Sequence, residues 1–222
     1  IIPAYYNASM LDGLNKEFDR ILNNGGKGIK DVGLKIGRGG VIHRQDASVE
    51  EFPLTLATFS SPLMEKLSLD FWQCPAIPNE QIYVMEEVCG TDHIAQDLHF
   101  DVVATLKFFI YLTDTNENNG AFSCVPGSHA KTHKIREQHR DQISYENRNI
   151  TRELSFNDED VVPIEGPAGS LIVFTTEVFH RAGKVKSGCR RVMRGHTRPL
   201  NNVKQNNQKK KNSLLHKILN NH

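Results

Sequence analysis

Residues 99–114 read His99-Phe100-Asp101-Val102-Val103-Ala104-Thr105-Leu106-Lys107-Phe108-Phe109-Ile110-Tyr111-Leu112-Thr113-Asp114. From Leu106 onward this is an apolar and aromatic run closed by a polar Thr-Asp pair, the pattern of a buried strand. Phe108, Ile110 and Leu112 are expected in the core. Lys107 reads as an edge lysine whose stem lies along apolar surface. The start of the stretch sets an imidazole and a carboxylate two positions apart. On extended backbone such residues point to the same side, so both can reach one point.

Runs of similar texture flank this one. Gln81–Val88, Ala104–Leu112, Ala121–Val125, Asp160–Ile164, Gly169–Phe174 and Arg190–Thr197 are short and punctuated by Gly, Pro and Asn. Upstream, apolar residues at 10, 11, 14, 18, 21 and 22 recur at helical spacing and stop at Asn23-Asn24-Gly25-Gly26. Pro53–Leu69 reads as one or two further helices, and residues 25–50 as a Gly-rich polar connection. Ser128–Gln142 is a charged, helix-compatible insert. Helices followed by many short strands predict an α+β, mainly β domain with a jelly-roll core. One domain is expected over 1–200, helical to about 75 and β from about 81 to 198. A basic tail follows at 201–222, with seven Asn, five Lys and no acid.

Composition narrows the function. The 222 residues carry 27 Lys plus Arg against 26 Asp plus Glu, a net charge of +1 that argues against a nucleic-acid binder. That total divides into +5 in the tail and −4 in residues 1–200, whose late arginines cluster at 181, 190, 191, 194 and 198. No apolar run approaches the length of a bilayer span. The four cysteines are dispersed without a C-x-x-C pair, as expected of reduced thiols in a cytoplasmic protein. Ile1 is not an initiator residue, so the chain reads as a fragment or processed form.

His99 and Asp101 need a third partner to hold a metal, and His180 is the best candidate. It follows the strand Gly169–Phe174 and precedes a turn at 183–188. Two imidazoles and one carboxylate on one face of an octahedron leave three open positions. That suits Fe(II) with room for a bidentate co-substrate and O2. His139-Arg140-Asp141 repeats the spacing inside the helix-compatible insert, where the two side chains would diverge. His129 and His133 are four apart, but Ala130 stands where a zinc helix would carry its Glu base, so they read as surface or turn histidines. Ten residues after His180, Arg190 opens the last strand, where a guanidinium fork can grip a carboxylate.

Several of these blocks together resemble the phytanoyl-CoA dioxygenase family. They are His99-Phe100-Asp101, Lys107–Asp114, Asn119-Gly120 followed by Val125-Pro126-Gly127-Ser128-His129, and Gly169–Phe174 leading to His180 and to the Gly-x-Arg at 188–190. The resemblance covers roughly residues 81–198 and implies a double-stranded β-helix, cupin-like, with the N-terminal helices packed on one sheet. It implies an Fe(II)- and 2-oxoglutarate-dependent oxygenase using O2, with His99, Asp101 and His180 as iron ligands and Arg190 on the distal carboxylate of 2-oxoglutarate. Succinate and CO2 would be released, and a hydroxyl group would be placed on an aliphatic carbon of a small molecule or natural product.

The chain departs from the family pattern in places. The loop before the first Arg is about one residue short, which makes Arg191 a rival of Arg190; strand parity separates them, because neighbours face opposite sides. If Arg190 faces inward, Arg194 and His196 do too, forming a cationic wall expected to contact an anionic substrate. Phe100 stands where many relatives carry Gln, so a polar contact behind the ligands is absent or relocated. Asp101 is retained, whereas related halogenases lack this carboxylate, so hydroxylation is expected. Gln81, Tyr83 and Met85 share one strand face, the latter two as core packing. Residues 25–50, 89–98 and 130–158 are expected to rim the site. Two other readings compete: a non-catalytic jelly-roll module binding a sugar, and a cupin-like enzyme using another divalent metal without co-substrate.

Overall fold

A computed structural model describes residues 1–25, 27–138 and 158–200. In chain order its elements begin with α1 (Ala8–Asn24), β1 (Ile29–Asp31), β2 (Arg38–His43), α2 (Pro53–Thr58), α3 (Pro62–Trp72), β3 (Ala76–Pro78) and β4 (Gln81–Val88). They continue with β5 (Leu106–Tyr111), β6 (Ser123–Cys124), α4 (His129–Gln138), β7 (Val162–Pro163), β8 (Leu171–Thr175), β9 (His180–Arg181) and β10 (Cys189–Pro199). The tail at 201–222 and His139-Arg140-Asp141 lie outside the described residues.

Local chemistry explains the helices. The Asn7 side chain accepts from the Met10 amide and caps α1, and Ser61 does the same for α3 through the Met64 amide. Proline in the first turn of α2 and α3 costs nothing there, because those amides have no intrahelical partner. Leu14, Phe18 and Ile21 form one buried stripe on α1.

The strands form two antiparallel sheets. The larger runs β1-β2-β4-β10-β5-β8, with β3 paired to the end of β10; the smaller runs β7-β6-β9. Strand alternation divides the larger sheet into two faces. Ile42, Ile82, Val84, Phe108, Ile110 and Met193 face outward and bury against Leu14, Phe18, Phe59 and Met64 of the helical layer. Tyr111, Ile172 and Val192 face inward and meet Phe122 and Cys124 at the smaller sheet. This is a double-stranded β-helix with helices on one sheet. Each face buries enough apolar side chain to hold its layer, at roughly 1.5–3 kcal/mol per large residue.

The stretch 25–50 is more than a connection, because β1 and β2 extend the larger sheet there. Arg38-Gly39-Gly40 lacks strand-like side chains for a packing reason: a Cβ on Gly40 would press on Ile21 of α1 and Val84 of β4. The N-terminal segment straps the opposite edge. Ile2 exchanges backbone hydrogen bonds with Leu171, and the Tyr6 amide donates to the Gly169 carbonyl. Gly169 has φ of 84°, and a Cβ there would strike the Tyr6 carbonyl oxygen. Gly169→Ala is therefore expected to cost about 1–3 kcal/mol, through left-handed backbone strain and displacement of the strap. Urea denaturation reads this as a lowered midpoint; an unchanged midpoint would show that the strap contributes nothing.

No helix among the described residues is long and apolar enough to cross a membrane. The four cysteines are free thiols.

Candidate active site

His99 and His180 sit side by side in an isolated antiparallel bridge, each amide donating to the other's carbonyl at 3.0 and 2.7 Å. Asp101 is tied down by its own amide, which donates to the Thr176 carbonyl at 3.0 Å. The ring orientation follows from backbone chemistry. Nδ1 of His99 lies 2.6 Å from the Asp97 carbonyl, and Nδ1 of His180 lies 2.8 Å from the Val178 carbonyl. A carbonyl only accepts, so both rings carry the proton on Nδ1 and present an Nε2 lone pair. Those Nε2 atoms lie 3.5 and 3.8 Å from Oδ1 of Asp101. The potential ligand atoms all fall within 4.8 Å of one another, a donor set able to hold a divalent metal.

The second oxygen of Asp101 is held by Lys107, whose Nζ lies 2.6 Å from Oδ2. Lys107 is not a snorkelling edge residue; it is 8% exposed and belongs to the site. Burial alone would raise the Asp101 carboxyl, but His99, Lys107 and His180 outweigh it and hold the group well below the usual carboxylate range. Burial, reinforced by Lys107, pushes His180 down to about 3, and burial with Lys107, Arg198 and Arg194 takes His196 to about 3 as well. Both imidazoles therefore stay neutral when folded, while the unfolded chain protonates them below about 6.5. Stability of the metal-free protein is expected to be unaffected by these groups above that pH and to fall as pH drops from about 6.5 toward 3. Urea midpoints across that range read the loss; a flat profile would contradict it.

The triad opens into a cavity of about 330 Å³ whose lining includes Gln81 and Tyr83 from β4, Lys107 and Phe109 from β5, and Phe122. From β10 come Arg194, His196 and Arg198. Tyr83 is therefore a wall residue, its hydroxyl donating to Gln81 Oε1 at 2.6 Å and its ring 4.4 Å from the Arg194 guanidinium carbon. Phe100 points away, into a cluster with Val125, Ile135 and Phe179. Residues 89–98 do reach the rim, through His93 and Ala95.

Arg190 does not line the cavity. Of the two rivals it is the one that faces inward, but it is buried deeper in the barrel and gives Nε and Nη2 to Glu87 Oε2 and Nη1 to the Gly120 carbonyl. Arg191 projects from the opposite face to Glu86 and Asp19 and lies over the Phe18 ring. Sequence reasoning missed Glu87. Its parity matches Tyr83 and Met85, which was the available signal that it points into the barrel.

The family model for phytanoyl-CoA dioxygenase matches residues 1–193. The chain belongs to the phytanoyl-CoA dioxygenase family. It is a 2-oxoglutarate-dependent oxygenase, and Fe(II) and 2-oxoglutarate are the cofactors of that class, which the His99, Asp101 and His180 donor set fits. No curated protein sequence matches the chain. Solved structures with the family's fold include HygX from Streptomyces hygroscopicus with nickel, 2-oxoglutarate and hygromycin B bound. It is 14% identical with a TM-score of 0.59, over 90% of this chain and 82% of its own. The carbocyclase SnoK from nogalamycin biosynthesis is 18% identical with a TM-score of 0.61, over 89% and 78%. AviO1 from Streptomyces viridochromogenes Tue57 is 16% identical with a TM-score of 0.55, over 90% and 88%.

Proposed function

We propose that this oxygenase hydroxylates an aliphatic C–H bond of a small-molecule or natural-product substrate bound in the cavity beside His99, Asp101 and His180. Iron held there with 2-oxoglutarate supplies the oxidising chemistry: one oxygen atom of O2 enters the substrate, the other enters succinate, and CO2 leaves. The observation that carries the reading is the intact Asp101 carboxylate, aimed at both Nε2 atoms and held by Lys107. The two histidines bind as neutral ligands fixed by backbone carbonyls. Lys107 is a positioning residue that leaves Asp101 one oxygen for the metal. Phe122 and Phe174 pack within 5.8 and 5.2 Å of the His180 ring and exclude water from that side.

Arg194 is the residue proposed to take the distal carboxylate of 2-oxoglutarate. His196 is level with Lys107 in the sheet, and Lys107 marks the level of Asp101. Arg194 lies two residues further in, a step of about 7 Å along a strand, comparable with the length of a five-carbon diacid. HygX holds 2-oxoglutarate and hygromycin B, while SnoK is a carbocyclase. The fold therefore admits several outcomes, and the product decides among them. Metabolite fractions are screened for stimulated succinate release under isotopically labelled O2. A product that gains one labelled oxygen supports hydroxylation; stimulated turnover whose product gains none overturns it.

A further inference from the structure

Two guanidiniums line the cavity, and both are incompletely used. Nε of Arg194 and Nε of Arg198 are buried without a hydrogen-bond partner, and neither residue has an ion pair among the described residues. A buried donor left unpaired costs roughly 1–3 kcal/mol, more when it is charged. A free Nε beside the terminal nitrogens is also what side-on, two-bond recognition of a carboxylate, phosphate or sulfate requires. Both residues sit on the inward face of β10, with His196 between them. Arg194 lies on the side closed by the Tyr111, Phe122, Ile172 and Val192 cluster. Arg198 lies on the other side, where β10 pairs with the short edge strand β3 and the cavity wall includes Asn79, Val103 and Thr105.

Charge counting separates the two. Among the described lining residues the formal cations are Lys107, Arg194 and Arg198, and the only carboxylate is Asp101, an excess of two positive charges. A divalent metal and doubly charged 2-oxoglutarate cancel one another and leave that excess unchanged. Lys107 is matched by Asp101, and Arg194 is assigned to the co-substrate, so Arg198 still faces the cavity without an anion. A cavity carrying surplus half-buried cations favours an anionic occupant over a neutral one of the same shape.

From these observations we infer that the substrate is an anion whose carboxylate, phosphate or sulfate group pairs with Arg198, with its reacting carbon extending past His196 toward the triad. This rests on the oxygenase reading and adds to it the class of substrate and the residue that selects it. Val103, on the Arg198 side of the cavity, provides apolar wall beyond the charged contact, so the group that follows the anion is aliphatic.

The test uses straight-chain carboxylates from butyrate to decanoate, their primary amides, and the matching alkyl phosphates and sulfates. Calorimetry measures binding to iron-loaded protein with 2-oxoglutarate in the absence of oxygen, and to metal-free protein. The wild type is expected to bind at least one anion series at least about tenfold more tightly than the amides, a difference of about 1.4 kcal/mol. The series that binds best identifies the headgroup. Arg198→Gln is expected to erase the preference while leaving 2-oxoglutarate affinity within about twofold; Arg198→Lys, which keeps the charge but not the fork, is expected to retain part of it. Arg194→Gln is expected to do the reverse, weakening 2-oxoglutarate at least about tenfold. Near-ultraviolet circular dichroism confirms that each variant is folded. Amides that bind as well as anions, no anion binding, or an Arg198→Gln variant that loses 2-oxoglutarate instead would each overturn the inference. If 2-oxoglutarate fails to bind the wild type, the cofactor reading fails separately, and anion preference in metal-free protein still decides the role of Arg198.

Discussion

Asp101→Ala is expected to reduce 2-oxoglutarate turnover by far more than the roughly 10–100-fold that loss of a supporting outer contact costs at a metal site. The variant loses one of three ligating groups. It also leaves Lys107 in the barrel wall, 8% exposed, with no carboxylate 2.6 Å away. A cation no longer neutralised by Asp101 repels the metal as well as failing to position a ligand. Three measurements separate these effects. Bound iron after gel filtration should fall, the visible absorption that appears when Fe(II) and 2-oxoglutarate meet without oxygen should vanish, and succinate release should reach background. Asp101→Ala combined with Lys107→Met removes both charges of the pair. It is expected to recover stability, because breaking a buried pair typically costs about 3–5 kcal/mol and replacing both partners costs little. It should not recover turnover. If Asp101→Ala still formed succinate at the wild-type rate, the metal would be held elsewhere.

The parts of this site legible in the sequence were those fixed by local geometry. His99 and Asp101 share a side on extended backbone, and His180 follows a strand; both statements need only the two-residue alternation and punctuation by glycine. The α1 stripe at Leu14, Phe18 and Ile21 was equally local. Depth along the barrel was not legible. Alternation puts Arg190, Arg194 and Arg198 on one face but cannot tell which is level with Asp101. That is fixed by β10 pairing with β5, which sets His196 opposite Lys107. Arg190 is then six residues from that level, about 20 Å along a strand. Glu87 was missed because its partner, Arg190, lies 103 residues away in sequence; Lys107 was misread because alternation does not show that the chain after Asp101 turns back to bring the lysine onto that carboxylate. A charged residue in an apolar strand looks the same whether it snorkels or is paired. β1 and β2 were hidden because the glycines at 39 and 40 signal a turn, whereas at Gly40 the barrel uses a missing side chain to admit α1.

Glu87→Gln carries the second large effect and tests the division of labour among the arginines. Glu87 and Arg190 are each 3% exposed, and the guanidinium directs Nε and Nη2 to one Glu87 oxygen. Glutamine keeps the shape but removes the charge, leaving a buried cation with only the Gly120 carbonyl as a strong acceptor. The expected loss is about 3–5 kcal/mol, read from urea denaturation. Glu87→Leu with Arg190→Met should restore most of it, since a well-packed apolar pair of similar volume is often neutral or stabilising. The functional readout points in a different direction for each assignment. If Arg190 gripped the co-substrate, as the family resemblance implied, Glu87→Gln would free it and tighten 2-oxoglutarate binding, and Arg190→Met would abolish it. With Arg190 committed to the barrel wall and Arg194 to the cavity, 2-oxoglutarate affinity should stay within about twofold of wild type in the charge-free double variant, and Arg194→Gln alone should lose it. A double variant that is stable yet cannot bind 2-oxoglutarate would return the anchor to Arg190 and require the ion pair to open during loading.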